Sequence, residues 1–247
     1  MRDFIQYLHD NHLADTLDTV NALLCLVLEL FVGQWLAKKL NIKRWKALVL
    51  TVARFVFALV IQRAIYELHT DGAATGSGFL TMAYFYIPIV LAPIYLLMRI
   101  KWRTACDYLA VTLAVFQWPI HIGCIWKSCC NGYETKLGIW NANLGHYTFP
   151  IQIVDCIIGL GIALLLIYLL KKNGFKPSGK LYPLLLILHG LDRLLLDFAR
   201  DTRRDLLGLT YAQFHAMFII LVGAVSLVVL TVMRKNTKKA ISTTKSK

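Results

Sequence analysis

The feature that most constrains this chain is a recurrence of apolar runs long enough to cross a bilayer. A helix needs roughly 20 mostly apolar residues to span a hydrocarbon core about 30 Å thick. Runs of that kind occupy residues 20–37, 47–66, 79–98, 106–126, 151–170, 181–196 and 211–233. The sixth is short and carries charge. A soluble helical protein would show a polar stripe along each run, and most of these show none. The usual expectation for 247 residues, one or two soluble domains, is therefore set aside. The pattern predicts an all-α polytopic membrane bundle of about seven transmembrane helices.

The basic residues orient that bundle. One set of connections holds Lys38, Lys39, Lys43, Arg44, Lys46, Arg99, Lys101, Arg103, Lys171, Lys172, Lys176 and Lys180, and the tail adds Arg234, Lys235, Lys238, Lys239, Lys245 and Lys247. The opposite side has only Arg2, Lys127, Lys136, Arg200, Arg203 and Arg204. Eighteen against six, with Arg54, Arg63 and Arg193 inside spans, puts the N-terminus outside and the C-terminus in the cytoplasm. The formal charge of +13 then reads as topology and contact with anionic lipid. Nucleic-acid binding is a poor reading, because no basic face accompanies a soluble fold. The expected organisation is an outer-surface segment at 1–18, a membrane domain at 19–234 with a small outer lid at 127–150, and a basic cytoplasmic tail at 235–247.

Residues 1–18 lack the apolar core of a cleaved signal peptide. Their Phe4, Ile5, Leu8 and Leu13 can form a weakly amphipathic helix lying on the surface. The stretch 71–78 is a turn by its glycines and serine. Internal repeats, the mark of transporters built from inverted halves, are not evident. Of the six cysteines, Cys25, Cys106 and Cys156 sit in or beside apolar spans and act as small hydrophobes. Cys124, Cys129 and Cys130 cluster near the outer end of the fourth span. A zinc site usually shows two paired ligand sets, and no second set is present, so no metal is expected.

Ionisable residues inside spans cost roughly 2.5–3.5 kcal/mol each at a helix centre, so each needs a reason. The sixth run and its end hold the densest set: His189, Asp192, Arg193, Asp197 and Arg200. Arg193 and Asp197 stand four apart on one helix face, with Arg200 one turn further. An arginine held by a carboxylate, with a second arginine beside it, suits a phosphate, because the planar guanidinium engages two oxygens at once. An intrahelical ion pair that only neutralises two charges fits the spacing equally well. Glu29 and Arg54, lone charges in early spans, can pair with each other across helices.

The segment His189-Gly-Leu-Asp-Arg-Leu-Leu-Leu-Asp-Phe-Ala-Arg200, followed by Gly208-Leu-Thr-Tyr-Ala-Gln213, resembles the C-terminal motif of the bacterial prolipoprotein diacylglyceryl transferases. That motif reads roughly Tyr-Gly-x-x-Arg-Phe-x-x-Glu-x-x-Arg, then Gly-Leu-Thr-x-x-Gln. Phe149-Pro-Ile-Gln-Ile-Val-Asp155 is similar to the family's His-Pro-x-Gln-Leu-Tyr-Glu. The segment from His121 to Gly132, which holds all three clustered cysteines, resembles the branch carrying Gly-Cys-Phe-x-x-Gly-Cys-Cys-x-Gly. Arg63-Ala-Ile-Tyr66 resembles the Ala-Arg-Leu-x-Tyr stretch of the second span. His121 stands where the family signature has arginine, Cys129 where it has an acidic residue, and the third-span His motif has no counterpart near 83–87.

The resemblance implies transfer of a diacylglyceryl group from phosphatidylglycerol to a lipoprotein-precursor cysteine, in a bacterial plasma membrane, by a monomer without cofactor. It implies Arg193 on the lipid phosphate, oriented by Asp197, with Arg200 or Arg63 as a second contact. His121 or His189 would be the base, with His215 a lesser candidate, while Gln152, Asp155 and Gln213 would shape the substrate pocket. The departures keep open a catalytically silent homologue that binds lipid or lipoprotein precursors. A small-solute transporter is the third class, though it would favour charges near mid-membrane on several helices.

Overall fold

The computed structural model describes the backbone of residues 1–70, 79–201 and 207–245, and the side chains of 1–57, 60, 82–201 and 207–234. The Arg63 side chain, the turn at 71–78, Arg203, Arg204 and the side chains of the lysine tail lie outside the described residues.

Each of the seven apolar runs falls in a helix. Among the described residues these are α2 (Ala14–Lys39), α3 (Arg44–Thr70), α4 (Phe79–Leu97), α5 (Trp102–Trp126), α6 (Ile151–Lys172), α7 (Leu181–Leu196) and α8 (Tyr211–Lys245). They follow a short α1 (Arg2–Asp10). Four segments, Ala14–Lys39, Trp102–Trp126, Ile151–Lys172 and Tyr211–Arg234, are long and apolar enough to cross a membrane. The polarity of the bundle is inverted relative to a soluble protein. Phe31 of α2, Ile157 of α6 and Val228 of α8 are 75%, 65% and 62% exposed, whereas Arg54 and Asp155 are 2% and 1%. Apolar side chains that face outward while charges pack inward need an apolar solvent around them. The chain is a helical membrane protein.

Helix α5 is the axis of the bundle. Every residue from Ala105 to Val115 is buried, and its main partners are α2, α6 and α7. Arg54 of α3 donates from Nε to Glu29 of α2 at 2.8 Å and from its terminal nitrogen to the other carboxylate oxygen. Its guanidinium also lies 4.7 Å from the Phe116 ring centroid. The two lone charges of the early spans thus neutralise each other, as their placement in the sequence led us to expect. Asp107 of α5 accepts the backbone N–H groups of Ser178, Gly179 and Leu181 at 2.6, 3.0 and 3.0 Å. A carboxylate there satisfies donors that open a helix, and it fixes the start of α7 against α5.

Two features bear on the site end. Helices α7 and α8 approach so closely that a Cβ on Gly190 would lie 2.6 Å from Ile220 Cγ1 and 3.0 Å from the Ala216 carbonyl. Small residues let membrane helices meet backbone to backbone. The second feature corrects the all-α expectation. The lid forms an antiparallel hairpin, β1 (Glu134–Asn141) with β2 (His146–Thr148), pairing Ile139 with Thr148, Trp140 with Tyr147 and Asn141 with His146. Helix α1 leans on it. Trp140 Nε1 donates to Gln6 at 3.1 Å, and the Arg2 guanidinium sits 4.6 Å from the Trp140 ring centroid.

Candidate functional site

The end of α7 is where the sequence places most of its chemistry, and the backbone there departs from a simple helix. The α-helix stops at Leu196, and Asp197–Ala199 form a single 3-10 turn. Arg200 then pairs with the base of the lid. Gly132 and Arg200 form an antiparallel bridge, the Tyr133 N–H donates to the Ala199 carbonyl at 3.0 Å, and the Asp201 N–H donates to the Asn131 carbonyl at 3.1 Å. The crossing is tight: a Cβ on Gly132 would meet the Phe149 carbonyl at 2.6 Å. Arg200 is therefore placed by main-chain bonds to the lid rather than by continuing the α7 face.

Four side chains meet at Asp155, which α6 brings to the same end. Its Oδ2 lies 3.2 Å from His121 Nε2, 3.5 Å from an Arg200 terminal nitrogen and 3.8 Å from an Arg193 terminal nitrogen. Arg200 Nε is in turn 3.5 Å from Asp197 Oδ1. The other Asp197 oxygen accepts the Thr210 hydroxyl. Asp192 lies against Asp155 from α7. The two guanidiniums and His121 are nearly closed to solvent. Yet the guanidinium distances exceed the roughly 2.7–2.9 Å of tight charge-assisted bonds. The arginines are held near one oxygen without being saturated by it.

The remaining expected residues divide into two groups. His189 belongs with the site: Gln117 Nε2 lies 2.9 Å from its Nδ1, the Tyr84 ring stacks at 4.2 Å, and Nε2 has no hydrogen-bond partner among the described residues. Gln152 and Gln213 act on the backbone instead. Gln152 Nε2 donates to the Cys129 carbonyl at 2.6 Å. Gln213 accepts the Thr210 N–H at 3.0 Å while its own N–H donates to the Thr210 hydroxyl at 3.1 Å, a capping box that opens α8. Gln213 is fully buried, and its amide nitrogen lies 3.4 Å from the Leu194 carbonyl.

Sequence spacing suggested that Asp197 orients Arg193. Structurally, Arg193 forms an ion pair with Asp155 of α6, and Asp197 forms one with Arg200. The α-helical bond from the Asp197 N–H to the Arg193 carbonyl is intact, so the exchange comes from α6, which brings Asp155 to Arg193, and from the 3-10 turn after Asp197, which sets Arg200 beside it. Gln117, Tyr84 and Thr210 had no sequence signal beyond polarity within apolar surroundings. A further grouping was also missed. His121, Cys124 and Cys130 bring their donor atoms within 4.8 Å of one another. The expectation of no metal rested on the lack of a second cysteine pair, and His121, one turn before Cys124 on α5, supplies the donor that a search for cysteine pairs passes over. Hydrogen bonding with the Cys124 and Cys129 thiols holds the Cys130 thiol well below the ordinary thiol range, with His121 and Arg200 adding to the effect.

A family model described as prolipoprotein diacylglyceryl transferase matches residues 19–229. The chain belongs to the prolipoprotein diacylglyceryl transferase family. A phosphatidylglycerol–prolipoprotein diacylglyceryl transferase of Clostridium tetani is 30% identical over 125 residues, covering 47% of this chain and 49% of that protein. A second enzyme of that name, from Clostridium perfringens, is 30% identical over 133 residues, covering 50% and 51%. The chain thus spans about half the length of the curated relatives it matches. The family match takes in all four residues around Asp155 and the thiol cluster beside them.

Proposed function

We propose that this protein transfers the diacylglyceryl group of phosphatidylglycerol to the cysteine thiol of a lipoprotein precursor, releasing glycerol phosphate. The observation that carries this reading is the convergence of Arg193, Arg200 and His121 on one oxygen, Asp155 Oδ2. A phosphate oxygen is the ligand those groups would accept in its place. Asp155 keeps two buried guanidiniums gathered until the lipid arrives, because an unpaired buried charge is costly.

The precursor's sulfur attacks the glycerol carbon that bears the phosphate ester. A C–S bond forms as the C–O bond breaks, and the electron pair leaves on the phosphate oxygen. Negative charge builds there, and Arg193 and Arg200 stabilise it. The nucleophile must be a thiolate, since a thiol of pKa about 8.5 is mostly protonated at neutral pH. His121 is engaged at both ring nitrogens, by Asp155 and by Cys124. His189 Nε2, which has no hydrogen-bond partner among the described residues, takes the proton, with Nδ1–H directed to the Gln117 amide oxygen after a half-turn of that amide. Asp197 holds Arg200, and Gln152 and Gln213 fix the backbone around the pocket.

The same reading sets the bundle in a bacterial plasma membrane with seven crossings, the N-terminus outside, and the site with its hairpin lid at the outer leaflet. The distribution of lysine and arginine supports that orientation. Lipid and precursor are the partners, the enzyme acts as a monomer, and nucleic acid has no part. To test it, purified protein is incubated with phosphatidylglycerol and a lipobox peptide bearing one cysteine, and the peptide is weighed by mass spectrometry. A diacylglyceryl adduct at that cysteine is the expected result. Unmodified peptide, where a known transferase modifies it, would reject the proposal.

A further inference from the structure

We propose that His121, Cys124, Cys129 and Cys130 bind one thiophilic divalent metal ion of the zinc class. Three geometric facts support this. The last turn of α5 puts His121 and Cys124 three residues apart on one face. The chain then reverses through Ser128 and Cys130, whose φ angles of 50° and 57° lie in the left-handed region. That reversal returns the Cys130 sulfur to 3.8 Å from the Cys124 sulfur, while His121 Nδ1 lies 3.7 Å from the same atom. Tetrahedral zinc with Zn–S of about 2.3 Å and Zn–N of about 2.0 Å requires S···S near ~3.8 Å and S···N near ~3.5 Å. Two edges of such a tetrahedron, both meeting at the Cys124 sulfur, are thus already in place. Cys129 lies outside this three-donor group and, as the chain neighbour of Cys130, is the thiol we assign as fourth ligand.

The second fact concerns the imidazole. Asp155 Oδ2 sits 3.2 Å from His121 Nε2, an ion-pair approach without hydrogen-bond geometry, while Nδ1 lies on the side of the Cys124 sulfur. A carboxylate behind a ligating histidine fixes its tautomer and raises its basicity. The third is the support of the loop. Gln152 holds the Cys129 carbonyl at 2.6 Å, and Asn141 and Asn143 hold the Ser128 carbonyl at 3.1 and 3.0 Å. Thiolate and imidazole select zinc-class ions over magnesium or calcium, which take oxygen ligands. A disulfide would use two of three thiols and no imidazole, with sulfurs about 2.05 Å apart. The site shares Asp155 with the arginine pair, so a bound ion would tie the lid to the transfer site, but binding itself does not depend on the transfer reading.

The test is metal binding by reduced, full-length protein in detergent. Cobalt(II) is titrated in, and native metal content is measured by mass spectrometry of the acid digest. One equivalent of cobalt with the visible bands of tetrahedral coordination and thiolate-to-metal absorption is the expected result, displaced by one equivalent of zinc. Cys130→Ser should weaken cobalt binding at least a hundredfold, and Cys129→Ser should lower the thiolate absorption by about a third. Cys25→Ser and Cys156→Ser, which alter thiols elsewhere in the bundle, should leave both unchanged. Absence of cobalt bands from the reduced wild-type protein would overturn the proposal whatever the variants do. So would natively isolated protein that carries a Cys124–Cys130 disulfide and binds no metal after reduction.

Discussion

Replacing Asp155 by Asn would leave Arg193 and Arg200 buried around a neutral amide. Removing one partner of a buried ion pair typically costs about 3–5 kcal/mol, so Asp155→Asn should lower the thermal midpoint clearly and reduce transfer as well. An unchanged midpoint would show that the guanidiniums do not depend on this carboxylate. His189 lends itself to a pH test. Loss of a positioned base typically costs about 10²- to 10⁴-fold, and His189→Ala should show that deficit near pH 7. The substrate thiol ionises by itself above a pKa of about 8.5, so the deficit should shrink as pH rises through that value. A deficit that stays constant to pH 9.5 would assign His189 to binding or packing. At this scale the sequence was informative about residue identity and poor about pairing. Arg193, Asp197 and Arg200 stood out because charge in an apolar run needs a reason. Which carboxylate serves which arginine depended on α6 bringing Asp155 across to α7, and that long-range approach leaves no local trace.

Helix existence was legible, because hydrophobic run length is a direct consequence of bilayer thickness, whereas extent was less so, since α2 begins at Ala14, α3 reaches Thr70 and α8 reaches Lys245. The hairpin was not. Its strand Glu134–Asn141 is half exposed and interrupted by Gly138, so it lacks the period-two apolar pattern that marks a strand. Its pairing owes more to contacts with α1 and the end of α7 than to its own composition. The contact between α7 and α8 gives a prediction for whole elements. Gly190→Val adds atoms where a Cβ alone would meet Ile220 at 2.6 Å and the Ala216 carbonyl at 3.0 Å. Overpacking of this kind costs typically about 1–3 kcal/mol, and the separation of α7 from α8 should displace His189 and Arg193. Both reduced thermal stability and reduced transfer are expected; a stable, fully active variant would show that the helices move apart freely. Glu29→Ala, by contrast, should destabilise the bundle by about 3–5 kcal/mol through the stranded Arg54. In protein that remains folded, it should change the transfer rate little.

For the whole molecule, burial of charge and exposure of apolar side chains fix the solvent as lipid, and the lysine and arginine distribution proposes which end faces which side. A fluorescent protein that matures only in the cytoplasm, fused after Lys247, should fluoresce, while an epitope placed before Met1 should be accessible on intact spheroplasts. The opposite pattern would put the arginine pair at the wrong leaflet for secreted precursors. The convergence of two arginines on one buried oxygen is tested most directly by the transfer rate of folded Arg193→Ala and Arg200→Ala with phosphatidylglycerol and a lipobox peptide. Removing one preorganised donor to a developing anion typically costs about 10²- to 10³-fold, and each variant should fall by that much. Wild-type rates in both would contradict a phosphate role for the pair.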